Sequence, residues 1–109
     1  MKVPSKITIA GQEWRIYLEK EAPPRLVGRR HKLLAEGTQG FTEYATREIV
    51  LAHGLSQEQT EITLLHELLH AIYHASGDRN LGAELEERIV EALDTHLHEV
   101  VIQLLESNK

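Results

Sequence analysis

The sequence predicts an α+β domain in which a small antiparallel sheet packs on two C-terminal helices. Residues up to about 53 alternate apolar and polar positions in short runs broken by Gly and Pro. Residues from about 56 to 106 instead carry helical periodicity with one Gly-bearing interruption. The length, 109 residues, supports one modest core and no separate recognition domain. The chain is therefore read as a single domain, 1–109, with a sheet region at about 5–53 and a helical region at about 56–106.

Ile7-Thr8-Ile9, then Ala10-Gly11-Gln12, then Trp14-Arg15-Ile16-Tyr17-Leu18 reads as strand, turn, strand, with period two and a glycine in the turn. Pro23-Pro24 ends this unit because neither residue can donate to a sheet ladder. Between Arg25 and Gly37 the pattern fits a strand or a short helix equally well. Gly40-Phe41-Thr42-Glu43-Tyr44 is a further strand, Ala45 to Glu48 turns it, and Ile49-Val50-Leu51-Ala52 returns before Gly54. Ser56 is an N-cap, with Gln59 completing a capping box. The first long helix then runs over about 57–76 and stops at Gly77. A second begins near Ala83 and runs close to the end, with Leu85, Ile89, Leu93, Val100 and Leu104 as its apolar stripe.

Composition removes several function classes. The formal net charge is -5, with Glu interleaved among Lys and Arg at helical spacing, so a nucleic-acid backbone is not an expected partner. The basic run Arg29-Arg30-His31-Lys32 is read as a solvated loop or strand edge. With no Cys, disulfides and thiolate zinc sites are excluded, and any metal must sit on His and carboxylate. The first residues lead into an alternating pattern, so neither signal peptide nor membrane span is expected, and the expected compartment is the cytoplasm.

The chemistry is concentrated in His66-Glu67-Leu68-Leu69-His70. On a helical wheel, Ile62, Leu65, Leu69 and Ile72 take one side and Leu64, Leu68, Ala71 and Ala75 another. Thr63, His66, Glu67, His70 and His74 form a narrow polar strip on what is expected to be a buried helix. Burying such groups without partners costs several kcal/mol each, and a metal ion is one partner. Residues four apart share a helix face, so His66 and His70 can offer two imidazoles to one tetrahedral cation. Glu67 beside them can take a proton from a water that zinc has acidified. This is the physical content of the H-E-x-x-H pattern.

A catalytic zinc needs a third protein ligand. A histidine six residues beyond the second would fall at position 76, which is Ser76. The alternative is a Glu from a later helix. There the segment Glu84-Leu85-Glu86-Glu87-Arg88-Ile89-Val90-Glu91-Ala92-Leu93 resembles the glutamate helix of minimal gluzincin-type metallopeptidases, a zincin-like group that includes small phage-encoded and mobile-element proteins. The strand Glu48-Ile49-Val50-Leu51 leading into the motif helix is also similar. The likeness covers the second half of the chain well and the first half in outline.

That resemblance implies zinc on His66, His70 and Glu87, with Glu86 as the rival third ligand and Glu67 as general base. Glu91 or Asp94 would orient a ligand histidine. The oxyanion donor would come from His74, Tyr73, His96, His98 or Tyr44, with His74 first. The implied activity is hydrolysis of a protein or peptide substrate lying as an added strand along the sheet edge. Two alternatives stand beside it. One is a zinc-stabilised regulatory or binding domain with little turnover. The other is a zinc-free helical adaptor whose Leu97, Val100, Val101, Leu104 and Leu105 support a dimer.

Overall fold

The computed structural model describes residues 2–27, 33, 37–77 and 80–107. The basic run Arg29-Arg30-His31-Lys32 lies outside them. The chain is α+β, as its patterning predicts. Strands β1 (Lys6–Ile9) and β2 (Gln12–Leu18) are followed by a 3-10 turn (Glu19–Glu21) and a one-turn helix α1 (Pro24–Val27). Strands β3 (Gly40–Glu43) and β4 (Glu48–Leu51) then precede α2 (Gln57–Ala75) and α3 (Ala83–Ser107).

Ala10 and Gly11, at φ 52 and 78, make the two-residue connection of the first hairpin, and Ile9 pairs with Gln12 across it. Positive φ at both positions matches the twist of the flanking strands. The strand order is β1-β2-β4-β3. Two pairings are antiparallel, as expected, while the central β2–β4 pairing is parallel, with Ile16 opposite Ile49. The sheet is therefore mixed. The chain leaves β2 through the 3-10 turn and Pro23-Pro24, then re-enters along the edge strand β3. The short β3–β4 turn delivers β4 to the middle, pointing the same way as β2.

All four residues of β4 are buried, as a central strand covered on both faces requires. Trp14, Ile16, Ile49 and Leu51 form the core with Leu64 and Ala71 of α2, which stand two turns apart on one helix face. Gly40 is where α2 closes over β3. A Cβ there would meet Val50 O and Thr63 Cγ2, each at 2.9 Å.

Ser56 caps α2 by accepting from the Gln59 amide at 3.0 Å, and Gly77, at φ +80, ends it. The reciprocal half of the expected capping box is not made: the Gln59 side chain donates to Gln39 Oε1 at 2.8 Å, tying α2 to the segment before β3. Burial of α2 is also less complete than the wheel suggests. Its Leu64/Ala71 side is buried, but Ile72 on the other apolar side is 51 % exposed. The sheet covers one side of α2 and α3 covers the polar strip, leaving the Leu69–Ile72 side open.

Buried polar pairs hold the layers in place. Glu19, wholly buried, accepts from the Leu33 amide at 2.5 Å and from the His53 amide at 3.3 Å, with His53 Nδ1 at 2.7 Å. Burial pushes its carboxyl up, and these hydrogen bonds outweigh that and lower it. Glu48 receives both guanidinium nitrogens of Arg25 at 2.6 Å. Glu61 of α2 meets His98 of α3 at 2.7 Å.

Candidate metal centre

The register of α2 places His66 and His70 one turn apart on the side that faces α3. Their rings lie 5.1 Å apart, edge to face. The second turn of α3 supplies Glu87 between them: Oε1 is 2.8 Å from His66 Nε2 and Oε2 is 2.8 Å from His70 Nε2. The donor atoms of His66, His70 and Glu87 all lie within 4.8 Å of one another, so the cluster can hold a metal ion.

The remaining ring nitrogens are also occupied. His66 Nδ1 is 2.9 Å from Asp94 Oδ2, and His70 Nδ1 is hydrogen-bonded to Glu86 Oε2. Each imidazole thus faces a carboxylate at both nitrogens. An ionised carboxylate only accepts, and a neutral imidazole has one N–H, so it cannot donate to a carboxylate at both nitrogens. A divalent cation fits the same donor set better. His66, His70 and Glu87 would hold it, and Asp94 and Glu86 would then keep each Nδ1–H oriented. For His66, burial alone would lower the pKa, but the Asp94 hydrogen bond and the charges of Glu67, Glu87 and Asp94 raise it.

Glu67 points beside this cluster and is 7 % exposed. Its Oε1 accepts a 2.9 Å hydrogen bond from Thr42 Oγ1 on the edge strand. Burial pushes the Glu67 carboxyl up, with Thr42 and the two histidines opposing that rise. A raised carboxyl is the usual condition of a general base or acid in a site of this kind.

Two cavities flank the cluster. One, of about 320 Å³, lies at the start of β3 and is walled by Gln39, Gly40, Gln59, Thr63, His66 and Glu67, with Glu87, Glu91 and Asp94 opposite. The other, of about 280 Å³, lies on the His70 side among Tyr44, Tyr73, His74, Glu86 and Glu87. His74 lines it and packs on Tyr44 with ring centroids 4.5 Å apart. Burial pushes the Tyr44 phenol up to about 12, helped by Glu86, Glu67 and Glu87, so Tyr44 keeps its proton near these carboxylates.

The other expected oxyanion donors are engaged or placed differently, although Tyr73 also lines this cavity. His98 pairs with Glu61, the Tyr73 hydroxyl accepts from the Leu81 amide at 3.2 Å, and His96 is solvent-exposed. Thr42 carried no sequence signal, because a strand hydroxyl 25 residues from its partner belongs to no local pattern.

A model of the peptidase M78 family, described as the IrrE N-terminal-like domain, matches residues 27–102. The chain belongs to this family. The M78 match spans β3, β4, α2 and most of α3, and so every residue of the cluster. It supports a zincin-like domain, metallopeptidase-like or regulatory. No curated protein and no solved structure matches the chain. Among the described residues, no helix is long and apolar enough to cross a membrane.

Proposed function

We propose that this M78 domain is a zinc-dependent metallopeptidase acting on a peptide or protein in the cytoplasm, of the kind that phages and mobile elements encode, as its resemblance to minimal gluzincins implies. The observation that carries the reading is the convergence of both Nε2 atoms on Glu87, with a carboxylate behind each ring. His66, His70 and Glu87 would hold the ion. When bound, zinc supplies a Lewis acid that polarises a carbonyl and brings the pKa of water near neutrality.

The protein's own groups then have separate tasks. Glu67 takes the proton of the attacking water. Its Oε1 is engaged by Thr42, which leaves Oε2 to receive that proton and pass it to the departing amine. Tyr44, held protonated, and His74, stacked on it, stand on the His70 side to donate to the developing oxyanion. On the other side, β3 is an edge strand whose first residue, Gly40, borders the 320 Å³ cavity, so an extended peptide can pair with that edge.

The second reading, a metal-stabilised regulatory domain, is favoured by the way the cluster bridges α2 and α3 in so small a chain. Zinc-loaded protein incubated with a proteome-derived peptide library, read by mass spectrometry, separates the two. The peptidase reading requires new peptide termini that disappear with Glu67→Gln while zinc content stays the same. Cleavage that persists in Glu67→Gln removes Glu67 from the mechanism. Stoichiometric zinc with no cleavage of any peptide favours the regulatory domain.

A further inference from the structure

The helix that supplies Glu87 leaves an apolar face uncovered. Leu85, Ile89, Leu93, Val100 and Leu104 are 44, 39, 48, 51 and 59 % exposed. With the exposed His96 they fall within an arc of about 100° on α3. The opposite arc is accounted for: Glu87 and Asp94 meet the histidines of α2, and His98 meets Glu61. Across from Leu93 and Ile89, Leu69 and Ile72 of α2 complete a groove of about 300 Å³ that is almost entirely apolar.

The order of residues along this face identifies what fits it. The stripe 85, 89, 93, 96, 100, 104 reads the same in both directions. If a second α3 lies antiparallel to the first, Leu85 stands opposite Leu104, Ile89 opposite Val100, and Leu93 opposite His96. Arg88 and Glu99 border the same side of the stripe, and both are exposed. Residues on one flank face the same flank of an antiparallel partner, so Arg88 of each copy approaches Glu99 of the other.

The area is also adequate. Ile72 and the five apolar stripe residues expose on the order of 500 Å², so pairing two copies removes on the order of 1,000 Å², the threshold for a specific interface. We propose that the chain forms a two-fold symmetric dimer through the apolar face of α3, packed antiparallel on its symmetry mate. Glu86, whose carboxylate holds His70, also lines the groove, so pairing covers the back of the candidate metal centre.

Sedimentation velocity on the full zinc-supplied chain over roughly micromolar to 100 µM concentrations tests this. The wild type is expected at twice the chain mass. Leu93→Lys, at an exposed position, is expected to raise the dimer Kd more than tenfold while keeping the monomer's circular dichroism. At low salt, Arg88→Glu or Glu99→Arg alone should weaken the dimer about five- to tenfold, and the double reversal should restore it. A monomeric wild type overturns the proposal and leaves the face to another protein or another part of a longer chain. A dimer indifferent to Leu93→Lys places the interface elsewhere. Failure of the double reversal to restore pairing overturns the antiparallel arrangement.

Discussion

Thr42 Oγ1 donates to Glu67 Oε1 at 2.9 Å, joining the edge strand to the candidate general base on α2. Glu67 is largely desolvated, so its orientation depends on this one neutral donor and on nearby charges. Thr42→Val removes the donor with little change of shape. It is expected to lower kcat about tenfold with KM little changed, because a displaced base costs the transition state more than substrate binding. Thr42→Ser should recover most of the loss. Equal melting temperatures for the three proteins, with equal kcat, would deny Thr42 this role.

Glu87 and Glu86 are adjacent in sequence but differently placed. Glu87 reaches the Nε2 atoms of both histidines, whereas Glu86 sits behind His70 on Nδ1. Glu87→Ala is therefore expected to abolish stoichiometric zinc binding. Glu86→Ala and Asp94→Ala should each retain it with affinity reduced about 10–100-fold, the usual cost of losing an orienting carboxylate. Zinc titration against a competing chelator distinguishes these outcomes. Loss of binding in Glu86→Ala, with Glu87→Ala still loading zinc, exchanges the two roles.

That pair also marks how far the sequence can be read. Helical period turns the four-residue spacing of His66 and His70 into proximity, so those positions and the need for a Glu on the following helix were legible. The choice between Glu86 and Glu87 was not, because adjacent residues on a helix differ by only about 100° and the packing of α3 decides which one faces inward. Asp94 was one of two equally plausible orienting groups until α3 was docked. The strands and both long helices followed from periodicity and caps. The parallel β2–β4 pairing did not, since alternation gives a strand's faces and not its neighbours. The polar pairs Glu19–His53, Arg25–Glu48 and Glu61–His98 had no signal, because each joins residues far apart in the chain.

Arg25 and Glu48 make a pH-dependent contribution to stability. The Arg25 guanidinium, aided by Thr46 and Tyr17 against the opposing effect of burial, holds Glu48 at about 2, below its ordinary 4.5. A carboxyl lowered on folding stabilises fully above the unfolded value and loses that stabilisation as pH falls through the folded one. Glu48→Gln is accordingly expected to be about 1–3 kcal/mol less stable than wild type near neutrality. The gap should be unchanged down to about pH 4.5 and close progressively toward pH 2. Urea midpoints of the two proteins at several pH values measure it, and a gap independent of pH would show that the Glu48 charge contributes nothing.

Removing the metal should loosen the α2–α3 contact more than the sheet. Glu67 of α2 and Glu86, Glu87 and Asp94 of α3 gather around His66 and His70, and without a cation these carboxylates repel one another. An ion that binds only the folded chain stabilises it by about 2.7 kcal/mol at a free concentration 100 times Kd. For a domain of this size that corresponds to a Tm fall on the order of 10 °C on chelation. Zinc restores the wild type, whereas Glu87→Ala melts at one temperature with or without zinc. Hydrogen exchange should place the lost protection in the first turns of α3 and the centre of α2, while Ile49, Val50 and Leu51 in the central strand stay protected. A Tm unmoved by either chelator or zinc would mean that the six side chains are held by their own ion pairs, with no metal required.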